Sequence, residues 1–451
     1  MEMMHDERLI KRSIIIGSIL AVTLLNFLSS GLTATMHAQQ ETTVVTHVIL
    51  PGDTWQAVAW QYGVEEGLVR HANHNMNMMR QPAIGTEIIV PSANPDSTYR
   101  GRLVRSESKG IYELAAEYKL PPWQWSILNG LNSPYSPLLN QLIFIPDEGS
   151  VPRELPPAFT SFELESIPAR PGQAIGFRAE LEKPVTISAT LEDVGFEVSQ
   201  AGDRAIGVAG TGAFYAPGNH SLSIFVEGSL PWIQPLRFEP GEWTYEQIYL
   251  TGSAAAIDQA SIREEWDRLS AIWSQVSDGM AWRDSFELPV DSFLEFSSFY
   301  GANRSYNGGP YSSYHEGVDF SSYGGTPVYA PAGGTVALAE SLYVRGGAVL
   351  IDHGVGVYSG LYHMSEVLVQ PGQIVEHGQL IGRVGSTGLS TGNHLHWDLL
   401  AGGIQIDGLT WLESDFGCWL LEGIGNACGQ DSDLQAIVDF LDLSPPDGKR
   451  Q

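Results

Sequence analysis

Six of the chain's twelve histidines fall between His315 and His396, and two pairs among them have the spacing needed to hold a metal ion. In His315-Glu316-Gly317-Val318-Asp319, the central glycine and the β-branched valine argue against helix, so a loop runs into a strand. On an extended chain, positions four apart share a face, which lets His315 and Asp319 converge. In His394-Leu395-His396-Trp397-Asp398-Leu399, alternation sends Leu395, Trp397 and Leu399 to a core and leaves His394 and His396 side by side on the other face. Imidazole nitrogen and carboxylate oxygen are zinc ligands, and three protein ligands with a fourth position open to water make a catalytic site. His315, Asp319 and one of the His394/His396 pair supply that set. His363, at the end of the run 355–362, is a further candidate.

The chain around these residues is long enough for about three domains: 451 residues, 43% hydrophobic. Gly 49 and Pro 26 are high and charged residues are only 17%, which points to β-rich domains with many turns. The formal charge of −28 repels phosphate backbones and anionic lipid, so nucleic acid is excluded as a partner. From Ser161 to Thr251, short β-prone runs (Ile175 to Ala179, Val185 to Ala189, Ser221 to Val226, Gln247 to Thr251) suggest an immunoglobulin-like antiparallel sandwich with no catalytic constellation. Ala254 to Val276 reads as one helix with Ile262, Trp266, Leu269 and Trp273 on one face, suited to packing against the last domain.

At the amino end, Arg8, Lys11 and Arg12 precede the apolar run Ser13 to Leu28. This is the pattern of a secretory signal or an uncleaved membrane anchor, so an extracytoplasmic protein is expected. Membrane contact is expected only through that segment. Cys418 and Cys428 are too few for a disulfide scaffold or a cysteine zinc ribbon. Outside the cytoplasm, with Gly423 and Gly425 between them, they are expected to close one surface loop by a disulfide.

A repeat offset by 56 residues matches Ala59, Tyr62, Val64 and Asn73 with Ala115, Tyr118, Leu120 and Asn129. Each copy reads as strand, helix, helix, strand, the last strand stopped by Pro91 or Pro146. These residues, with Pro51-Gly52-Asp53-Thr54 ahead of the first helix, resemble the LysM module, a small βααβ domain that binds N-acetylglucosamine-containing glycans. The resemblance implies glycan binding by Gly52, Asp53 and Thr54. The second copy is degenerate, with Glu107-Ser108-Lys109-Gly110 in place of that loop.

The histidine region resembles the lysostaphin-type (LytM-like) zinc metallopeptidases that cut peptidoglycan cross-links. The resemblance rests on His315-x-Gly317-x-Asp319, Gly325 to Ala330, Ile351-Asp352-His353-Gly354 and Tyr362-His363-Met364. It also rests on the closing run Gly385 to His396, of form G-x-T-G-x-S-T-G-x-H-x-H. It covers about Glu287 to Leu412, including the Asn303-Arg304 approach. It implies Zn2+ as cofactor, with His315, Asp319 and His396 as ligands. His363 and His394 are then general base and transition-state stabiliser, in an order the sequence leaves open. His353 and His377 are given no role.

The expected architecture is multidomain and mainly β. It comprises a signal or anchor (1–40), LysM-like modules (45–91 and 99–147), a β-sandwich spacer (155–252) and a helical linker (253–285). An antiparallel β metallopeptidase domain (286–415) and a tail (416–451) complete it. The expected function is hydrolysis of peptidoglycan peptide cross-links, with glycan strands and peptide stems as partners. A catalytically silent activator of another hydrolase is the alternative, and the complete five-residue set weighs against it.

Overall fold

The computed structural model describes residues 44–76, 80–91, 100–106, 109–131, 133, 140–146, 151–250 and 259–429. The amino-terminal basic and apolar segment lies outside these residues, and so do Glu107 and Ser108. Among the described residues, no helix is long and apolar enough to cross a membrane.

The chain opens with two βααβ units. The first is β1 (Val44–Val48), α1 (Trp55–Gln61), α2 (Glu66–Ala72) and β2 (Glu87–Pro91); the second is β3 (Gly101–Arg105), α3 (Ile111–Glu117), α4 (Pro122–Leu128) and β4 (Leu142–Pro146). In each, the outer strands pair antiparallel. The repeated asparagine does the same work twice. Asn73 Nδ2 donates to the Val69 and Ile89 carbonyls at 2.8 and 2.7 Å, and its Oδ1 accepts from the Ile89 amide at 2.9 Å. Asn129 repeats this with the Trp125 and Phe144 carbonyls at 3.1 Å each and the Phe144 amide at 2.6 Å. One side chain thus ties the second helix to the closing strand, which a buried backbone needs where the ladder stops.

A sandwich follows, built from β5 (Phe159–Leu164), β6 (Ala174–Leu181), β7 (Ile187–Leu191), β8 (Val194–Gly195), β9 (Glu197–Ala201), β10 (Arg204–Gly210), β11 (Gly218–Val226) and β12 (Trp232–Phe238). Its two sheets run β5-β6-β10-β9 and β12-β11-β7-β8. Alternation in β12 buries Trp232, Gln234, Leu236 and Phe238, as packed sheets require. The run expected from Gln247 to Thr251 does not join this sandwich. Strand β13 (Tyr245–Ile248) instead pairs parallel with β15 (Asn303–Tyr306), on the domain that carries the histidines. Alternation fixes which face of a strand is buried, not which sheet accepts it.

Helix α5 (Gln259–Trp273) then leads to the last domain. Its elements are β14 (Glu295–Ser298), β16 (Ser313–Tyr314), β17 (Val318–Ser321), β18 (Pro327–Tyr329), β19 (Gly334–Leu342), β20 (Gly346–Gly354) and β21 (Val357–Met364). They continue through β22 (Glu366–Val367), β23 (Ile374–Val375), β24 (Leu380–Arg383), β25 (His394–Ala401) and β26 (Ile404–Ile406). The main sheet runs β14-β17-β25-β21-β20-β19-β23 with β26 beside β25. Leu269 and Trp273 of α5 pack on Leu350, Tyr358 and Leu400 of this sheet.

The carboxyl end departs from the expected tail. Helices α6 (Gly408–Glu413) and α7 (Phe416–Gly423) carry buried Trp411, Phe416, Leu420 and Leu421 into the main core, which also takes in Ala174, Ile206 and Val208 of the sandwich. Gly176 of β6 faces the Phe416 and Trp419 rings, so α7 is wedged between sandwich and last domain. The structure joins Cys418 to Cys428 in a disulfide with Cα atoms 5.3 Å apart. Cys418 is buried on α7 against Ser285, while Cys428 is half-buried beyond exposed residues 425–427, so the link ties a surface loop to a packed helix.

Candidate active site

The two motifs meet because β17 and β25 are antiparallel neighbours with Asp319 directly opposite His396 and Ser321 opposite His394. His363 comes from β21 on the other side of β25, where Tyr362 pairs with His396. His315 precedes β17, and Gly317 explains the tight turn inward. A Cβ there would sit 2.3 Å from the Trp397 carbonyl oxygen and 2.7 Å from His396 Nε2, so only glycine lets the loop approach β25.

Among the described residues, the donor atoms of His315, Asp319 and His396 all lie within 4.8 Å of one another. His396 Nδ1 is 2.8 Å and His315 Nε2 3.1 Å from Asp319 Oδ1, and the two nitrogens are 3.0 Å apart. Ligands ~2.1 Å from a tetrahedral ion stand roughly 3.4 Å from one another, so this donor set fits zinc with little adjustment. Burial alone would raise the Asp319 carboxyl, but His315 and the hydrogen bonds from His315 and His396 outweigh it and hold it well below the usual range. Burial pushes His396 down to about 3, against the pull of Asp319. The set is therefore one carboxylate and an unprotonated imidazole facing a second imidazole, which suits a divalent cation.

Two more histidines border the set. The His363 and His394 rings are 4.7 Å apart, and His394 Nε2 is 3.9 Å from Asp319 Oδ1. His363 Nδ1 donates to the Thr387 carbonyl at 2.8 Å, and His394 Nδ1 donates to the Gly392 carbonyl at 2.9 Å. A carbonyl only accepts, so each Nδ1 carries a hydrogen, and in the neutral ring the lone pair is at Nε2. Burial and then the neighbouring His394 push His363 down to about 4, so it stands neutral and ready to take a proton. Its backbone has φ of +63°, a region rarely adopted by residues other than glycine and typical of sites held under constraint. The clamp is α5: Glu265 accepts from the Val344 and Arg345 amides at 2.8 and 3.0 Å, and the Arg345 carbonyl accepts from the His363 amide at 2.9 Å. Sequence reading missed Glu265 and Arg345, because nothing local distinguishes one glutamate among 52 acidic residues.

The other histidines are placed away from this chemistry. His353 is fully buried, its Nδ1 donating to the Gly333 carbonyl at 2.8 Å and its Nε2 accepting from Ser359 Oγ at 2.9 Å. His377 pairs with Glu287 at 3.0 Å.

Gly52, Asp53 and Thr54, expected to face a glycan, are all buried. Thr54 caps α1 by accepting from the Ala57 amide at 3.0 Å. Asp53 Oδ2 accepts from the Leu50 amide at 2.8 Å and meets His47 Nε2 at 2.9 Å, while Oδ1 pairs with Arg153 at 3.3 Å. Gly52, at φ +83°, lies so close to the Glu154 carbonyl oxygen that a Cβ would be 2.9 Å from it. Gln234 of β12 closes the contact. Its Oε1 accepts from the Gly52 amide at 2.8 Å, and its Nε2 donates to the Asp53 and Pro82 carbonyls at 3.0 and 3.2 Å. Here the loop is a cap and a docking surface against the sandwich, and its polar groups are used internally.

Two regions of the chain are similar to known proteins. Residues 313–408 match the model of Peptidase family M23, and residues 47–91 match the LysM domain. The second βααβ unit has the fold without a family match of its own. The chain is 36% identical over 121 residues to the peptidoglycan DD-endopeptidase ShyA of Vibrio cholerae, covering 27% of this chain and 28% of that protein. It is 40% identical over 93 residues to the DD-carboxypeptidase/endopeptidase Mpg of Neisseria meningitidis, covering 21% of each. The matches thus span about a quarter of these relatives. A crystal structure of a peptidase M23 from Pseudomonas aeruginosa aligns with 26% identity and TM-score 0.42, covering 55% of this chain and 96% of that one. Residues 313–408, which contain the His315/Asp319/His396 cluster, are a peptidase domain of the M23 zinc metallopeptidase family, carried in one chain with a LysM domain.

Proposed function

We propose that this chain is a cell-envelope zinc endopeptidase that hydrolyses the peptide cross-links of bacterial peptidoglycan and is directed to wall glycan by its LysM domain. The observation that carries the reading is the convergence of His315, Asp319 and His396 beside two histidines whose Nε2 lone pairs are free. The names of the curated relatives support D,D-cross-links as the bonds cut.

His315, Asp319 and His396 would hold the ion, which when bound supplies Lewis acidity toward the scissile carbonyl and activation of a water nucleophile. The protein's own contribution is proton handling. One of His363 and His394 takes the proton released on attack through Nε2 and delivers it to the leaving amine. Once protonated at Nε2, the other hydrogen-bonds the oxygen on which charge develops. The Thr387 and Gly392 carbonyls hold the Nδ1 hydrogens, so the base accepts at Nε2 and the partner ring donates from Nε2 in its protonated form. The presence of all five groups supports an active enzyme over a silent activator.

The test is metal analysis of the purified protein with mass spectrometry of the fragments it releases from sacculi. One zinc per chain and cleaved peptide cross-links are expected, and His396→Ala should lose both metal and activity. Full activity in thoroughly chelated protein would overturn the assignment.

A further inference from the structure

We propose that Glu246, on a strand outside the M23 domain, is a positioning residue of the metal site; this rests on the metal-site reading above. Strand β13 arrives from the end of the sandwich and lies parallel to β15, with Glu246 opposite Arg304. Period-two alternation turns Tyr245 and Gln247 outward and Glu246 and Ile248 inward. Glu246 Oε1 accepts from Ser298 Oγ at 2.7 Å, and its Oε2 meets Arg304 Nε at 3.2 Å.

Both partners reach the metal ligands. Ser298 Oγ is 2.8 Å from His315 Nδ1, which also donates to the Phe299 carbonyl at 3.1 Å. Arg304 Nη2 donates to Ser298 Oγ at 3.0 Å and to Asp319 Oδ2 at 3.4 Å. Ser298 thus has all its capacity used: its one hydrogen goes to Glu246, and its lone pairs face Arg304 and His315.

That assignment reinforces the hold of the Phe299 carbonyl on the His315 ring. A serine that donates to Glu246 can only accept from His315, so Nδ1 keeps its hydrogen and Nε2 presents a lone pair to the site. Without Glu246, the hydroxyl is free to turn its hydrogen toward Nδ1, which leaves the Phe299 carbonyl alone in holding the Nδ1–H tautomer that ligates through Nε2. Glu246 also shares the Arg304 charge. Without it, the guanidinium acts on Asp319 alone and weakens that carboxylate as a donor. Partners of this kind set ligand orientation and basicity, and their loss typically costs 10–100-fold in metal affinity.

The experiment uses the full chain stripped of metal. Zinc alone is titrated in competition with a chromophoric chelator, and the visible spectrum of the cobalt-loaded protein is recorded. Glu246→Ala and Ser298→Ala should each weaken zinc binding by about 10-fold or more and shift the cobalt bands. Glu246→Gln, which keeps an acceptor for Ser298 but no charge for Arg304, should fall between them and wild type. Gln247→Ala, on the outward face of the same strand, should match wild type in both measurements. Zinc affinity within twofold of wild type and unchanged cobalt spectra in Glu246→Gln and in whichever alanine variants fold would overturn the proposal and leave the proposed function standing. A wild-type protein that binds no zinc would remove both.

Discussion

Acid should destabilise the peptidase domain through His353, a residue that takes no part in its chemistry. The ring is fully buried between the Gly333 carbonyl and Ser359 Oγ, and Ser359 in turn accepts from Trp397 Nε1 at 3.3 Å. Burial pushes its pKa down to about 4, the Gly333 hydrogen bond and Asp352 opposing only in part. In the unfolded chain the ring titrates near ~6.5. Between these values the unfolded state binds a proton that the folded state refuses, so stability falls as pH falls. The contribution is intact above pH ~6.5 and fully lost below pH ~4, at about 1.4 kcal/mol per pH unit between, or about 3 kcal/mol in all. For a unit of this size that corresponds to roughly 6–12 °C in melting temperature. The assay is the melting temperature of wild type and His353→Asn from pH 7.5 to 4, both with chelator, so that loss of metal does not enter the comparison. Asparagine keeps a donor for Gly333 but cannot ionise. The variant should be less stable at pH 7.5, and its curve should converge on that of wild type as pH falls. Parallel curves would refute the argument.

Three further outcomes are expected. His363→Ala and His394→Ala should retain zinc yet lose turnover by roughly 10²-fold or more, measured as muropeptide release at saturating substrate; near wild-type turnover in either would remove that residue from the mechanism. Gln234→Leu should leave the Gly52 amide and the Asp53 and Pro82 carbonyls unpaired, at about 1–3 kcal/mol, and speed hydrogen exchange at Gly52 while the catalytic strands stay protected. Reducing Cys418–Cys428 should cost about 2–3 kcal/mol and loosen the wedge helix α7, seen as earlier melting of the sandwich with zinc still bound.

The two pairs of candidate ligands were legible because each lies within five residues and strand periodicity decides which side chains share a face, while the choice of His396 over His394 came from the family resemblance. The fold added the register that sets Asp319 against His396. Glu246 and Glu265 were not legible, since their partners lie 52 and 80 residues away and no local period marks them. The loop at Gly52 to Thr54 was recognised as a motif, but its burial depends on Gln234, some 181 residues further on. The apolar positions of Phe416, Leu420 and Leu421 were present in the sequence at helical spacing. Their place in a core became visible only with the sandwich face that receives them.

The docking of the first module changes what a deletion experiment measures. Ile84, just ahead of β2, is counted in the hydrophobic core of the sandwich, and its amide and carbonyl extend the edge of β12 through Pro235 and Arg237 at 2.7 and 2.9 Å. Cutting the chain after Pro91 or Pro146 therefore does more than release a tethered adaptor. It pulls a stone from the neighbouring wall and bares an open strand edge, the kind of surface that invites pairing with another chain. A truncated enzyme that clumps or works poorly on sacculi would report that wound as readily as a loss of targeting. Point changes on the outward faces of α1 and α2 leave the masonry whole, and they are the cleaner way to ask what the module recognises.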